Sequence, residues 1–338
     1  MIMILGVDSV VSDSFPYRES ATESFNTLRG QHGISDLVCG FTPDRPLFIE
    51  EHVHRNHRTL QFPTAVKSLL ADEVTLIDSI YVAVDAMIAL SNAYFFGFLH
   101  GEPSITNILI REAPEKRTLE MIQSNACLRR SSSEEDFTFL EKHLQQCKGM
   151  IINADLAVRH DSSRAVARRL STVLPFASRR QLDAWMEAEP GSPGPPHTLL
   201  DDIEGVLWIV MWKIVTHADR ERREMVWHKA LSSDDVSTVN HTKHAIVAWF
   251  NDRGHTKKVE KQVGVMARPV IFWGTIYDIM KEWMTIAKQA RLDVEVFESD
   301  NDEYPDVIKA LTLEHLTMYL KAGVEFLEKS GQYRDGAE

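Results

Sequence analysis

The sequence predicts an α+β fold in which a small β-rich part is followed by a larger, mostly helical part. Residues 1–60 contain several short apolar or β-branched segments, which are typical of strands. Over residues 75–98 the apolar side chains recur at helical spacing instead. The same helical patterning continues toward the C-terminus, over 199–215, 220–250, 270–292 and 306–329. This change of period along the chain, with no visible internal repeat, predicts the fold class.

The β-rich part is predicted to hold one helix among its strands. Residues Ile2–Val11 are mostly apolar and β-branched, so we expect one strand there. Residues Tyr17–Arg29 have helical character, and Gly30 follows them as a stop signal. The other strand candidates are Leu37–Cys39, Leu47–Ile49 and Thr59–Phe62.

The helical part is predicted to begin with a long helix over 75–98 that leads directly into His100. Two short apolar segments, Ile108–Ile110 and Met150–Ile152, are expected to form strands that flank a loop. Between these strands, the charge-rich segment 111–148 predicts a solvated insert, with a short helix in its second half over 136–146. Further along, the Pro/Gly-rich stretch 189–196 cannot continue a helix and predicts a loop.

Composition limits the classes of partner. The chain has 338 residues, of which 44% are hydrophobic, and a formal net charge of -12. The acidic charge argues against binding to nucleic acid or to an anionic membrane, and favours a basic protein partner or simply solubility. No apolar run is expected to span a bilayer. The first five residues are apolar but too few for a secretory signal.

The cysteines indicate a reducing compartment. Cys39, Cys127 and Cys147 are odd in number and widely spaced, which fits neither a disulfide framework nor a metal site. We therefore expect an intracellular protein, cytoplasmic or nuclear.

Two segments carry the residues with the clearest chemistry: His100–Ile110, with the sequence HGEPSITNILI, and Gly149–Ala157, with the sequence GMIINADLA. The first resembles the catalytic loop of protein kinases, H-R-D-x-x-x-x-N, and Asn107 keeps the Asn position. Glu102 stands where that loop has its Asp, and Gly101 stands where it has its Arg. The second segment resembles the D-F-G metal loop.

Further segments in the right order resemble the fungal-type protein kinase domain family. Its catalytic loop continues S-x-x-N-I-L and its metal loop is typically L-I-D-F-D-L-A, which Ser104 and the 149–157 segment match in part. The segment 171–178 is similar to the family's G-T-x-x-F-M-S, and Asp202–Gly205 to its D-L-E-S. Asp85-Ala86 and Trp249-Phe250 fit as well, so the resemblance covers roughly residues 10 to 290. It implies a two-lobed protein-kinase-like fold, with a reduced N-lobe over 1–62 and a helical C-lobe over 63–338.

The resemblance also implies roles for individual residues. Asn107 and Asp155 would hold Mg²⁺ with ATP, since hard cations take oxygen ligands; Asp155 could instead merely cap a turn. Glu102 would be the general base, or alternatively a solvated loop carboxylate. His100 would pack under the loop without a proton-transfer role. Asp202 would bind the backbone amides of the loop, whereas a helix N-terminal Asp is the simpler interpretation.

Other kinase features are absent from the sequence. It contains no G-x-G-x-x-G, and alignment places Ser12 where the third strand carries its Lys. Glu23 or Glu19 could be the helix Glu that normally pairs with this Lys, and it would then lack its partner. The simpler interpretation of either residue is a solvated helix face. The alignment starts at this strand, so two N-lobe strands are expected to be missing.

We therefore expect a pseudokinase or weakly active kinase that acts as a binding or regulatory scaffold for a protein, with Mg²⁺ and ATP as its cofactors if it is active. An active serine/threonine protein kinase with a protein substrate, Mg²⁺ and ATP is the second hypothesis, and a small-molecule phosphotransferase is the third. Two other clusters have minor interpretations: His52, His54 and His57 could hold a metal, and Arg164, Arg168 and Arg169 could bind a phosphate or an acidic partner.

Overall fold

The structure is a computed structural model of the whole chain. It describes residues 2–4, 10–14, 28, 31–34, 39–41, 47–49, 53–55, 58–62, 66–125, 134–152, 158–159, 173–188, 196–219, 226–251, 270–298 and 304–332. For the strands before residue 66, it describes the backbone only.

The described strands form small antiparallel sheets. They are β1 (Ile2–Ile4), β2 (Val10–Ser14), β3 (Cys39–Phe41), β4 (Leu47–Ile49), β5 (Val53–Arg55), β6 (Arg58–Phe62), β7 (Val66–Ser68), β8 (Phe98–Leu99), β9 (Ile108–Lys116), β10 (Gln146–Ile151) and β11 (Val158–Arg159). The first sheet has the order β1-β2-β6-β3, and the second has the order β10-β9-β7. Two further pairs, β4 with β5 and β8 with β11, complete the described sheet structure.

The predicted strands are mostly present, with one correction. The run Ile2–Val11 forms two antiparallel strands, β1 and β2, with Met3 opposite Val11. The single-strand prediction was wrong because Gly6 and Asp8, both turn-forming residue types, interrupt the apolar run. Strands β4 and β6 confirm two other candidates, and the third overlaps β3 only at Cys39. The helix predicted over 17–29 lies outside the described residues, apart from Leu28, which is in a turn.

The helices make up most of the described chain. They are α1 (Leu76–Phe95), α2 (Leu119–Gln123), α3 (Glu134–Leu144), α4 (Arg179–Glu187), α5 (Leu199–Asp219), α6 (Val226–Leu231), α7 (Val236–Asn251), α8 (Val270–Glu298) and α9 (Tyr304–Lys329). Every helical pattern predicted from residue 75 onward coincides with one or two of these helices. The fold is therefore α+β, with small antiparallel sheets and a mostly helical remainder.

Helix α1 is the centre of the core. Thr75 and Asp78 form a reciprocal capping box at its N-terminus, which satisfies two backbone donors of the first turn. Most of the helix is apolar on all sides, as expected for a buried helix, and it packs against α5, α9 and β10. Among the described residues, α1 is the one helix with the length and hydropathy to cross a membrane, contrary to the expectation from sequence. Its apolar window is 89% buried within the protein, as in a core helix.

The prediction of a solvated insert over 111–148 was only partly right. Strand β9 extends to Lys116, and β10 already begins at Gln146. The predicted short helix is present as α3, but its last turn carries the fully buried His143 and Leu144. Exposed charged residues such as Glu112 and Lys116 lie in the same segment as these buried residues. The division of the chain into 1–62 and 63–338 stays a prediction.

Candidate functional site

The loop between β8 and β9 is built around His100. This side chain is buried, and its Nδ1 accepts a hydrogen bond from the backbone N–H of Glu102 at 3.3 Å. Its Nε2 therefore carries the proton and lies 3.2 Å from the carbonyl oxygen of Ile152. The imidazole thus joins the loop to the end of β10, which agrees with the structural role that the sequence implied.

Asp202, in the first turn of α5, binds the start of this loop. Its carboxylate accepts the backbone N–H of His100 at 3.0 Å and that of Gly101 at 3.1 Å. The side chain of Asp202 is fully buried, and its Oδ1 also lies 2.7 Å from Nε2 of His197. Buried backbone N–H groups need such partners. The tether that the sequence implied for Asp202 is therefore present in the structure.

His197 is the imidazole partner of this anchor. Burial opposes a charge on the imidazole, but the nearby carboxylates of Asp202 and Asp201 outweigh it and raise the pKa of His197. The other ring nitrogen, Nδ1, contacts the side-chain amide of Gln181 on α4. His197 therefore links α4 to the carboxylate that holds the loop.

Asp201 binds the start of α4. Its carboxylate accepts hydrogen bonds from Ser178 Oγ at 2.6 Å, from the backbone N–H of Thr198 at 2.8 Å, and from the guanidinium of Arg180. Burial raises the pKa of this group, but Arg180 and His197 more than offset that effect, and the pKa falls to about 2. The ionised carboxylate therefore fixes α4 against α5.

Glu204 and Lys243 extend this buried layer. Glu204 accepts the backbone N–H of Arg179 at 3.0 Å and its Nε at 2.9 Å, together with Trp208 Nε1 at 2.9 Å. Lys243 on α7 donates to the carbonyl oxygen of Ala177, and its Nζ lies 4.7 Å from the centroid of the Trp208 ring. The segment 174–179 is thus held from both sides.

Asn107, at the end of the loop, contacts both Glu102 and β10. Its Nδ2 donates to the carbonyl oxygen of Glu102 at 2.9 Å. The backbone carbonyl oxygen of Asn107 accepts the backbone N–H of Ile152 at 2.9 Å. The side chain is buried, so its orientation is set within the loop. The structure thus brings two of the three predicted site residues together.

Glu102 borders a small pocket in front of the loop. The pocket has a volume of about 20 Å³, which is space for about one water molecule. Its lining comprises Gly101, Glu102, Pro103, Val173, Phe176, Ala177, Gln181, Trp185, His197 and Asp201. The half-buried Glu102 side chain is therefore next to both the 173–177 segment and α4.

The comparison with known families agrees with this geometry. A family model described as "Fungal protein kinase" matches residues 16–214, which is more than half of the chain. The chain belongs to the fungal protein kinase family. No curated protein matches it. The match includes the loop and Asp202 but ends within α5, so the likeness that the sequence suggested between Trp249-Phe250 and the family lies beyond it.

The third predicted site residue of this family member, Asp155, lies outside the described residues. The chain on both sides of it contacts the loop: Ile152 bonds to Asn107 and His100, and Val158 pairs with Leu99 in β8–β11. Several other candidates also fall outside the described residues, namely Glu19, Glu23, His52, His57, Arg164, Arg168 and Arg169. Ser12 and His54 lie in β2 and β5, where the structure describes the backbone only.

Sequence reasoning missed several residues of this fungal kinase fold. His197 and Gln181 were not singled out, because nothing in their local sequence indicates that they meet at the Asp202 anchor. Asp85 was noted only as a family match, yet it binds His32 and His143, which lie 53 and 58 positions away. Pairs this distant leave no periodic signal in a single sequence.

Proposed function

We propose that this member of the fungal protein kinase family is a pseudokinase or weakly active kinase that acts as a binding or regulatory scaffold. In this proposal residues 1–62 and 63–338 form a reduced N-lobe and a helical C-lobe. One observation carries it: Asp202 still holds the catalytic-loop backbone, while Glu102 and Gly101 stand at the positions of the catalytic Asp and its neighbouring Arg.

The loop scaffold supports a retained binding role. The anchors at Asp202, Asp201 and Glu204 are buried carboxylates with several donors each. A buried carboxylate is costly unless it is paired and hydrogen-bonded. A loop held at this cost is well suited to present a defined surface to a protein partner, and the net charge of -12 favours a basic one.

The chemistry at Glu102 supports weak or absent transfer. A general base must be within hydrogen-bond reach of the hydroxyl whose proton it accepts. The side chain of Glu is one methylene longer than that of Asp, and a displacement of about 1 Å can cost roughly a hundredfold in rate. Ser12, at the position of the third-strand Lys, also supplies no positive charge for the α- and β-phosphates of ATP.

Cation binding remains compatible with the residues present. The Nδ2 of Asn107 is engaged by the carbonyl oxygen of Glu102, so the amide oxygen is the atom suited to a cation. With the carboxylate of Asp155 it would supply the oxygen ligands that Mg²⁺ prefers. Bound Mg²⁺ would neutralise charge on the phosphates of ATP, while the residues of this chain only position it.

An active serine/threonine kinase is the second candidate, and the Asn107–Glu102 bond favours it. That bond fixes the amide relative to the backbone of the residue at the catalytic position. In this candidate, Glu102 accepts the proton of a substrate hydroxyl that approaches through the pocket bordered by Phe176 and Trp185. In either case we propose an intracellular location, cytoplasmic or nuclear.

Two measurements on the full chain separate the candidates. The first is the shift in Tm with Mg·ATP, and the second is transfer of the γ-phosphate to the protein itself and to a generic basic protein. The proposal expects transfer that is absent or far slower than about 1 s⁻¹, whether or not ATP binds. Transfer at about 1 s⁻¹ or faster, the range of working kinases, that is lost in Asp155→Ala would contradict it.

Glu102→Asp tests the chemical reason. If the position of the carboxylate limits transfer, this variant raises the transfer rate by up to about a hundredfold. Glu112→Asp, the same change at an exposed position of β9, serves as the control and is expected to leave the rate unchanged. Equal rates in both variants would show that the length of the Glu102 side chain does not limit transfer.

A further inference from the structure

A second polar cluster lies in the core, away from the loop that begins at His100. His32 follows the turn at Leu28, Asp85 is in the middle of α1, and His143 is in the last turn of α3. All three side chains are fully buried, at 0% exposure. Segments that are far apart in the sequence therefore contribute polar groups to one point in the core.

The three side chains converge through their ligand atoms. Nε2 of His32 lies 2.6 Å from Oδ1 of Asp85, and Nε2 of His143 lies 2.9 Å from the same oxygen. All three ligand atoms lie within 4.8 Å of one another. Two imidazoles from different elements thus present the same ring nitrogen to one carboxylate oxygen.

The carboxylate is fixed independently of the two imidazoles. Its other oxygen, Oδ2, accepts the backbone N–H of Lys148 at 2.8 Å and that of Gly149 at 2.6 Å. Two glycines let other backbone segments approach Asp85 closely. A Cβ at Gly149 would lie 2.9 Å from Cβ of Asp85, and a Cβ at Gly33 would lie only 2.7 Å from the backbone carbonyl oxygen of Asp85. Oδ1 therefore keeps its position whatever the imidazoles bind.

We propose that His32, Asp85 and His143 form a binding site for a divalent transition metal, with zinc as the ion that the donor set fits best. Two imidazole nitrogens and one carboxylate oxygen are a common three-residue zinc set, and a water molecule completes the tetrahedron. Metal binding needs neutral imidazoles, whose ring nitrogens then have a lone pair for the ion.

Charge also favours a cation at this point. An ionised carboxylate in the core is costly unless it is paired. The nearby guanidinium of Arg117 is already paired with Glu115 at 3.2 Å. A divalent ion between the three ligands would offset the charge of Asp85.

The two nitrogen–oxygen separations are close to those of a zinc site. Bonds of about 2.0–2.2 Å from a tetrahedral zinc ion place its ligand atoms roughly 3.3 Å apart. The present separations are 2.6 and 2.9 Å, so the imidazoles need to withdraw by about half an ångström. The ion would join the turn at 31–34, α1 and α3 behind β10, and so act as a structural support of the fold.

The experiment uses the full-length protein, stripped with a chelator and then titrated with Zn²⁺ and with Co²⁺. We expect one ion per chain, a visible absorption spectrum of nitrogen- and oxygen-bound Co²⁺, and a Tm increase of about 4 °C at a hundredfold excess of Zn²⁺ over Kd.

His32→Gln and His143→Gln test the ligands. Glutamine can still donate a hydrogen bond to Asp85 but is a poor zinc ligand, so each variant should keep the fold and lose at least tenfold in Zn²⁺ affinity. The matched control is His315→Gln. His315 is also buried and bonds to a carboxylate, Asp293 at 2.9 Å, but no second imidazole joins this pair in the part of the chain that the structure describes. This control should bind Zn²⁺ as the wild type does.

Two results would overturn the proposal: no stoichiometric ion on the wild type, or equal affinity in the wild type and both glutamine variants. The first would leave a hydrogen-bonded triad, and the second would place the ion elsewhere in the chain. If the variants fail to fold, the proton NMR spectrum of the Co²⁺-loaded wild type decides. Shifted ring N–H signals from two imidazoles support the site, and their absence refutes it.

Discussion

Two buried carboxylates, Asp202 on α5 and Asp85 on α1, perform the same task in different electrostatic settings. Each accepts two backbone N–H groups from one segment: 100–101 for Asp202 and 148–149 for Asp85. The first segment begins the catalytic-loop-like region, and the second lies in β10, which leads toward Asp155. Both segments of the candidate site are thus fixed to core helices by a carboxylate.

The two carboxylates differ in their imidazole partners. Asp202 has one, His197, whose pKa is raised by the carboxylates around it. Asp85 has two, and burial lowers the pKa of His32. Asp202 thus has one imidazole and two backbone amides as partners, whereas Asp85 has two imidazoles and two backbone amides. Among the described residues, Asp85 is the carboxylate of the two that meets a second imidazole, which is the arrangement that the proposed metal site uses.

The largest expected effect comes from removing either charge. Asp202→Asn and Asp85→Asn should each lower the free energy of unfolding by about 3 kcal/mol or more, because charge-assisted hydrogen bonds to buried groups are lost. Urea unfolding measures the loss, with Asp234→Asn at an exposed position as the control. If one of the two variants lost less than about 1 kcal/mol of unfolding free energy, Asp202 and Asp85 would not be equivalent anchors.

Close backbone packing beside each anchor should be nearly as sensitive. A Cβ at Gly149 would lie 2.9 Å from Cβ of Asp85 and 3.0 Å from the carbonyl oxygen of Val82. A Cβ at Gly205 would lie 2.6 Å from Cγ of Pro103. We expect each Gly→Ala variant to lose about 2 kcal/mol through overpacking, measured by the urea midpoint at unchanged m-value. Unchanged midpoints would show that the two anchors tolerate looser packing than their distances indicate.

Acid should weaken the stabilising contribution of Asp201, the residue next to Asp202. The pKa of Asp201 is lowered from 3.8 to about 2, so its contribution is complete above 3.8 and is lost as the pH falls toward 2. That shift corresponds to about 2 kcal/mol of unfolding free energy. Asp201→Asn should therefore be less stable than the wild type at neutral pH and should approach it in acid. Parallel pH profiles of the two proteins would contradict this coupling.

The smallest expected effect distinguishes the ion pair from a neutral anchor. The pKa of His197 is raised above its ordinary 6.5, so its stabilisation is fully present below 6.5 and is lost as the pH rises through the folded-state pKa. His197→Gln should cost about 1 kcal/mol below that range and less above it. Urea unfolding at several pH values checks the trend, and NMR of the imidazole gives the titration directly. A titration below 6.5 would mean that His197 is neutral and that the two anchors are alike.

Much of the candidate site was visible in the sequence because it follows local patterns. The spacing from Glu102 to Asn107 and the turn of helix that begins near Asp202 are short-range features, and the structure places their hydrogen bonds as the motifs implied. His100 has the structural role expected of it. The part assigned to Asp155 stays a prediction, as do the catalytic role of Glu102 and the cation-binding role of Asn107.

The errors came from features that average over many residues. Charge content suggested that 111–148 was solvated, but burial is decided residue by residue, and His143 and Leu144 face the core. Apolar content suggested one strand over 2–11, but pairing requires a reversal of the chain. In both places, composition gave the character of the segment without its three-dimensional arrangement.

The amino-acid order by itself determined the fold class, the succession of helices and the motifs of a fungal protein kinase, because each depends on periodicity or on residues a few positions apart. Only the tertiary structure decided which buried polar groups meet. His32, Asp85 and His143 are separated by more than fifty positions, and their contact depends on how α1, α3 and β10 pack together. Packing satisfies buried charges with whatever donors it brings near, so those partnerships cannot be inferred from spacing along the chain.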